Sequence, residues 1–123
     1  MSRSSKKTLV IGASQNPARY SFLAINMLKQ YLHEIEAIGL REGNVNGTAI
    51  KTGRPDLESI DTVTLYIGPR HQPEYYSYII KLKPKRVIFN PGTENEEFEN
   101  LLHKEGIETL EACTLVMLRS GLY

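Results

Sequence analysis

The sequence predicts an α/β fold, in which a single doubly wound domain carries a mainly parallel sheet of five strands with helices on both faces. Short runs rich in β-branched residues alternate with segments of helical periodicity, as in strand–helix–strand units. Such units build parallel sheets through right-handed crossovers. No linker, repeat or low-complexity stretch divides the 123 residues. We therefore expect residues 1–123 to form one Rossmann-like domain, with residues 1–6 frayed.

The first half of the chain contains two predicted strands and one helix. The β-branched run at residues 8–12 suits a strand buried on both faces, and residues 34–40 form the next strand. The helix between them follows from apolar residues at helical spacing, namely Tyr20, Ala24, Met27, Leu28 and Tyr31. Residues 41–59 are rich in Gly, Asn and Thr, which predicts a loop with a short strand piece at 48–50.

The second half continues the alternation. Strands are predicted at residues 62–68, 86–90 and 107–111. Pro73 and Pro84 bound a helix between the first two of these strands. A run of acids and Gly106 mark the ends of the next helix, and a short helix begins at Cys113. In sheets of this kind, ligands bind at the carboxyl ends of the strands, near the point where the strand order reverses.

The composition is that of an ordinary globular protein, with 41% hydrophobic and 24% charged residues. A net charge of +1 gives no general attraction to nucleic acid or membranes. The N-terminal residues lack the apolar core expected of a signal peptide, and no apolar run approaches the about 20 residues of a membrane span. The single cysteine cannot form an internal disulfide, which favours a reducing compartment. We expect a cytoplasmic protein with neither nucleic acid nor membrane as a partner.

The turn after the first strand is the leading candidate for a phosphate site. It lacks the G-x-G-x-x-G pattern but keeps small residues where a ligand approaches, namely Gly12, Ala13 and Ser14. Asn16 can cap the following helix, and Pro17 suits its first position. Arg19 adds a positive charge, and no acid lies between Gly12 and Lys29. A helix start without carboxylates attracts anions; a capped turn without a ligand is the alternative.

The end of the second strand bears on the kind of nucleotide. NAD-binding proteins commonly place an acid there, whereas this chain has Leu40 and Arg41, with Glu42 one position later. An arginine favours a phosphorylated ribose, which both NADP and coenzyme A carry. The alternative is an ordinary solvated loop arginine.

No catalytic constellation stands out. His33, His71 and His103 lack metal-ligand spacing and fall in or beside predicted helices. Cys113 starts a helix, a position that can activate a thiol, although free cysteines are commonly buried. Three functions stay open: a nucleotide-binding protein without catalysis, an enzyme (an NADP-type reductase subunit or a thiol-dependent activity), and an interaction module with a vestigial nucleotide site.

Four stretches of the chain resemble one family. They are VIGASQNPARYS at 10–21, GTAIKTGRPDLESIDTV at 47–63, RVIFNPGTENEEFENLLHKEGIE at 86–108 and EACTLVML at 111–118. In order and spacing they resemble the small stand-alone CoA-binding proteins, which are relatives of the nucleotide-binding domain of the succinyl-CoA synthetase alpha subunit. The resemblance implies a Rossmann-type protein that binds coenzyme A or an acyl-CoA. We do not expect the resemblance to extend to ligase activity, because the synthetase's phosphohistidine loop belongs to a second domain.

The resemblance also implies a set of ligand contacts. The pyrophosphate would be approached by Gly12, Ala13 and Ser14, helped by Arg19, Tyr20 and Ser21. Asn16 completes the candidate set at this turn. Leu40 and Arg41 would lie near the adenosine, where the family usually has an Asn-Pro pair. The later strand ends would line the pantetheine path through Gly68, Pro69, Arg70, Asn90, Pro91 and Gly92. Cys113 is also a candidate contact. NADP stays the alternative ligand, and a homodimer or a partner subunit stays open.

Overall fold

Seven strands form one sheet in the computed structural model, which describes residues 5–123. The elements in chain order are β1 (Thr8–Ile11), α1 (Tyr20–Gln30), β2 (Ile35–Ile38), β3 (Gly43–Val45), β4 (Thr48–Lys51), β5 (Thr62–Leu65), α2 (Tyr76–Leu82), β6 (Arg86–Phe89), α3 (Glu96–Lys104), β7 (Glu108–Glu111) and α4 (Thr114–Ser120). Two 3-10 turns, Pro69–His71 and Pro73–Tyr75, precede α2. Within the described residues, no helix has the length and apolar character needed to cross a bilayer.

The strand order is β3-β4-β2-β1-β5-β6-β7, and only the β3–β4 pair is antiparallel. At the centre, Thr8 of β1 is in register with Ile35 of β2 on one side and Thr62 of β5 on the other. The chain therefore leaves β1 toward one edge of the sheet and later returns to build the other edge. This reversal opens a crevice beyond the carboxyl ends of β1, β2 and β5, where ligands of doubly wound sheets bind. The predicted α/β class is confirmed.

The predicted number of strands is wrong, because residues 41–59 contain a β-hairpin rather than a loop with one strand piece. β3 and β4 are joined by Asn46 and Gly47, whose φ values are +49° and +91°. Positive φ at both central residues is the mark of the tight turn that Asn-Gly favours between antiparallel strands. The amide of Gly47 donates to Oδ1 of Asn44 at 2.8 Å, which further stabilises the turn. The hairpin extends the sheet beyond β2.

The central strands β1, β5 and β6 are buried on both faces of the sheet, and the side chains of β1 alternate between the two faces. Leu9 and Ile11 pack into one core with α2 and α3, whereas Val10 packs into a second core with α1 and α4. The helices contribute fully buried side chains to each core, with Phe98 of α3 on one face and Ile25 of α1 on the other. Full burial of such a side chain stabilises the fold by about 1.5–3 kcal/mol. The apolar run of the first strand therefore holds both helical layers.

The first helix begins later than the sequence indicates. α1 starts at Tyr20 with Arg19 at its N-cap and no side-chain cap, so the prediction that Asn16 caps it with Pro17 in its first position is wrong. Oδ1 of Asn16 instead accepts a hydrogen bond from the amide of Ala18 at 3.0 Å. Local bonds of this kind stabilise a turn and compete with helix formation. Residues 16–19 therefore form a separate turn ahead of the helix.

The N-terminal segment expected to be frayed is partly outside the described residues, since positions 1–4 are not covered. Ser5 and Lys6 are tied to the segment between α1 and β2. The amide of Glu34 donates to Oγ of Ser5 at 3.3 Å, and the amide of Lys6 donates to Nδ1 of His33 at 2.9 Å. These two residues therefore have defined hydrogen-bond partners.

Candidate functional site

A cleft of about 720 Å³ opens at the carboxyl ends of the central strands. Most of the predicted contacts line it, namely Gly12, Ala13, Ser14, Asn16, Arg19, Tyr20 and Ser21 from the first turn and α1, Leu40 and Arg41 after β2, and Pro91 after β6. Its volume lies within the about 300–1,000 Å³ of typical small-molecule sites. The cleft thus occupies the crevice that the strand reversal creates.

The first turn is built by close backbone packing. The amides of Gly12 and Ala13 both donate to the carbonyl oxygen of Ile38 at 2.9 Å, so these two amides are used by the fold. Gly12 has a φ of +95°, and a Cβ there would lie 3.0 Å from Cγ2 of Ile67 and from the backbone of Tyr66. Only glycine fits such a conformation and such close neighbours without strain. The turn therefore brings the ends of β1, β2 and β5 together.

The start of α1 offers donors to an anion. The amides of Tyr20 and Ser21 open the helix, and neither has an acceptor among residues 5–123. The first turn of α1 contains no acid, whereas that of α3 carries Glu96, Glu97 and Glu99. Because a helix N-terminus carries partial positive charge, the α1 start favours a phosphate and the α3 start does not.

Charged side chains at the cleft are exposed and carry both signs. Arg19 and Arg41 form no ion pair with any other described residue, so their charges are available to a ligand. Glu42 also lines the cleft, where its carboxylate opposes an anion close to Arg41. The two arginines leave the charge of the cleft positive despite this one acid.

Tyr66 closes one side of the cleft. Its hydroxyl is buried and forms no hydrogen bond within residues 5–123. Burial raises the pKa of the Tyr66 phenol well above its usual value, and the nearby hydroxyls of Thr114 and Thr64 offset this only in part. The phenol is therefore neutral at physiological pH, and Tyr66 offers the cleft a ring surface rather than a charge.

Several predicted contacts lie away from the cleft lining. Pro69 and Arg70 are exposed on the first 3-10 turn, next to half-buried Gly68, and Gly92 is exposed after β6. Cys113 is half-buried at the N-cap of α4. Their roles as ligand contacts stay predictions.

Asn90 is only 2% exposed and joins three structural elements. Its Nδ2 donates to Oγ1 of Thr64 at 2.7 Å and to the carbonyl oxygen of Leu65 at 2.8 Å, while its Oδ1 accepts from the amide of Thr114 at 2.9 Å. The side chain of Asn90 therefore ties the end of β6 to β5 and to the start of α4. Asn90 is not among the residues that line the cleft, and its role as a ligand contact stays a prediction.

Sequence reasoning missed five lining residues, namely Gln15, Glu42, Tyr66, Ile67 and Thr93. The reason is clearest for the third predicted strand, which was expected to run to Gly68 but ends at Leu65. Because the chain leaves the sheet earlier, Tyr66 and Ile67 enter the cleft in place of residues 68–70. A shorter strand could have been inferred from Gly68 and Pro69, since turns commonly begin before such a pair.

The histidines do not line the cleft. Nδ1 of His33 accepts from Lys6, Nε2 of His103 lies 2.7 Å from Oγ1 of Thr109, and His71 is exposed on a 3-10 turn. Within residues 5–123 there is no group of three or more His, Cys, Asp or Glu side chains placed to hold a metal ion. The polar groups that line the cleft are backbone amides, hydroxyls, two carboxamides, two guanidinium groups and the carboxylate of Glu42.

Comparison with known proteins supports a ligand of the nucleotide type. The family model of the CoA binding domain matches residues 6–119. An uncharacterized protein of known crystal structure is 51% identical in sequence to this chain, with a TM-score of 0.95. The match covers 98% of this chain and 100% of that chain. No curated protein matches the chain.

More distant structures share the fold. A protein from Thermus thermophilus is 20% identical with a TM-score of 0.84, over 97% of this chain and 91% of that one. A conserved hypothetical protein from Pyrococcus furiosus is 24% identical with a TM-score of 0.78, over 90% of this chain and 97% of that one. The Rossmann-like architecture is therefore common to chains of similar length.

Proposed function

The chain belongs to the CoA-binding domain family, and from this premise we propose that its cleft binds coenzyme A or an acyl-CoA without catalysing a reaction of its own. The observation that carries the proposal is the position of the cleft, which combines the switch point of the sheet with the acid-free start of α1. Both features are typical of phosphate-binding sites in doubly wound folds. The single cysteine favours a reducing compartment, such as the cytoplasm.

The pyrophosphate of the ligand lies at the first turn in this proposal. The free amides of Tyr20 and Ser21 donate to its oxygens, and the exposed Arg19 supplies a full charge beside them. The amides of Gly12 and Ala13 do not take part, because both already donate to Ile38. The glycine instead serves the close packing that sets the turn against the end of β5.

The two ends of the ligand lie on opposite sides of the first turn. The adenosine rests on the β2 side, where Leu40 is 95% exposed and offers apolar surface, and Arg41 faces the 3′-phosphate. The pantetheine arm runs on the β5–β6 side past Ile67, Pro91 and Thr93. The strand order supports this assignment, because β2 and β5 flank β1 on opposite sides.

A binding role without catalysis is supported by the groups that line the cleft. None of its described lining residues is a histidine, a cysteine or a lysine, and the one acid, Glu42, is an exposed loop residue. Ser14 and Ser21 bring hydroxyls to the cleft, but a serine needs an adjacent general base to act as a nucleophile, and the described lining has neither histidine nor lysine for that role. The cleft is better equipped to hold a charged nucleotide than to transform it.

A thermal-shift and calorimetry series tests the proposal. The ligands are coenzyme A, acetyl-CoA, dephospho-CoA, NADP and NAD, each added to the whole protein. At about 100 times Kd, coenzyme A stabilises the folded state by roughly 2.7 kcal/mol. Stabilisation by NADP alone would favour the reductase subunit, and no shift with any nucleotide would favour the vestigial interaction module. Turnover of acetyl-CoA during the titration would contradict the absence of catalysis.

A further inference from the structure

Gln72 is a fully buried polar residue between the two 3-10 turns that follow β5. It does not line the cleft, yet its side chain bonds two residues that do. We propose that Gln72 is a positioning residue, whose amide fixes the wall that receives the pantetheine arm. The inference rests on the proposed function and adds a determinant that the family match does not specify.

The amide nitrogen of Gln72 joins two separate loops. Nε2 donates to the carbonyl oxygen of Ile67 at 3.0 Å and to that of Thr93 at 2.7 Å. Ile67 follows β5 and Thr93 follows β6, and both line the cleft. A single NH₂ group thus sets the distance between the two loops that form this wall.

The orientation of the Gln72 amide is defined by its oxygen. Oε1 accepts a hydrogen bond from Nδ2 of Asn95 at 2.9 Å, and the same Nδ2 also donates to Oη of Tyr76 at 2.9 Å. Oδ1 of Asn95 accepts from the amide of Phe98 at 3.1 Å and caps α3. The Gln72 amide is therefore anchored to the start of α3. If the amide were rotated, its oxygen would face the carbonyl oxygens of Ile67 and Thr93, and neither of these can donate a hydrogen bond.

The wall that Gln72 holds begins beside the first turn and extends along the pantetheine side. A Cβ at Gly12 would lie 3.0 Å from Ile67, so Ile67 borders the first turn, and Thr93 extends the wall toward β6. The adenosine side is formed by residues after β2, on the other side of β1. Loss of the two hydrogen bonds from Nε2 of Gln72 should lower the affinity for ligands that carry the arm and spare the affinity for ligands that end at the first turn.

The variant Gln72→Met retains a long side chain but cannot donate to either carbonyl, and a buried carbonyl left unpaired is costly. Calorimetry compares coenzyme A with adenosine 3′,5′-bisphosphate, which lacks the pantetheine arm and one phosphate of the pyrophosphate. We expect the affinity for coenzyme A to fall about tenfold, or about 1.4 kcal/mol. The affinity for the bisphosphate should change less than about twofold by the same conversion.

Two further variants separate positioning from stability. Asn95→Asp keeps an oxygen that caps α3 but removes the donor to Gln72. It should therefore lose affinity for coenzyme A while keeping affinity for the bisphosphate. This variant provides the test of the positioning role if Gln72→Met does not fold. Thr62→Val removes a fully buried hydroxyl that accepts from Nε of Arg86 at 2.8 Å. Thr62 lies at the opposite end of β5, so this variant should lower stability without changing the affinity for one ligand relative to the other.

The outcomes distinguish this inference from the function on which it rests. Wild-type protein that binds neither ligand would overturn the proposed function and the inference with it. Wild-type protein that binds both, with variants of Gln72 and Asn95 that bind coenzyme A normally or lose both ligands equally, would overturn the positioning role alone. A selective loss of coenzyme A in both variants supports it.

Discussion

Gly39 lies directly against the carbonyl oxygen of Ala13, and a Cβ on Gly39 would stand 2.4 Å from that oxygen. The end of β2 therefore admits no side chain where the first turn crosses it. This contact, together with the hydrogen bonds from Gly12 and Ala13 to Ile38, determines the position of the turn. The shape of the candidate phosphate site depends on a glycine that is not itself in the cleft lining.

The variant Gly39→Ala should destabilise the protein and weaken ligand binding together. The new methyl group meets backbone rather than a flexible side chain, so the first turn must move, at an overpacking cost of about 1–3 kcal/mol. Urea unfolding measures the stability and calorimetry the affinity for coenzyme A. Gly68→Ala is the matched control for stability, because a Cβ there meets nothing within 4 Å. Equal stability of the two variants would contradict this account of Gly39.

The variant Arg19→Ala should weaken every ligand that places a phosphate at the first turn. The guanidinium is exposed and unpaired among the described residues, so its removal takes away charge without breaking an internal contact. A charged hydrogen bond contributes about 1.5–3 kcal/mol, which corresponds to a loss of roughly tenfold or more in affinity. Arg119→Ala, in the last turn of α4, is the control. Normal affinity of Arg19→Ala would remove this residue from the site.

The variant Arg41→Ala tests whether Arg41 binds the 3′-phosphate of coenzyme A. Wild-type protein is expected to bind coenzyme A more tightly than dephospho-CoA, because Arg41 lines the cleft on the adenosine side and can pair with that phosphate. In the variant the two ligands should bind with similar affinity, measured by calorimetry at fixed salt. A preference that survives the substitution would assign the 3′-phosphate to another group.

Alkaline pH should destabilise the fold in part through Tyr78. Its Oη donates to the carbonyl oxygen of Pro55 at 2.6 Å, and burial, with the charges of Glu36 and Asp56, raises its pKa to about 12. The unfolded value is about 10, so the folded state holds the proton more tightly. This contribution to stability is complete below pH 10 and is lost as the pH rises toward 12.

Urea unfolding of Tyr78→Phe between pH 8 and 11 tests this linkage. Stability should decline less steeply above pH 10 in the variant than in the wild type, because one proton-linked phenol is absent. Tyr20→Phe serves as the control, since the Tyr20 side chain is 70% exposed. Identical pH slopes in wild type and Tyr78→Phe would show that Tyr78 does not contribute.

Local pattern was sufficient where a short segment carries its own physical signal. The β-branched run of β1 predicted a strand buried on both faces, and Leu9 and Val10 do pack into opposite cores. The absence of acids before Lys29 identified the α1 start as the end open to anions. The Asn46-Gly47 turn was equally readable from the sequence, because both residues favour positive φ; its omission explains why β3 was missed and why the strand piece at 48–50 was not paired with it in a hairpin.

The sequence by itself determined the α/β class, the central strands and the region of the first turn, since hydrophobic periodicity and the special residues Gly and Pro act over short distances. Only the tertiary structure decided which residues face one another across the cleft. Ile67 and Thr93 are brought together by Gln72, and Gly39 meets Ala13. These pairs are distant in the chain, and their contacts follow from strand order and register, which no local pattern specifies.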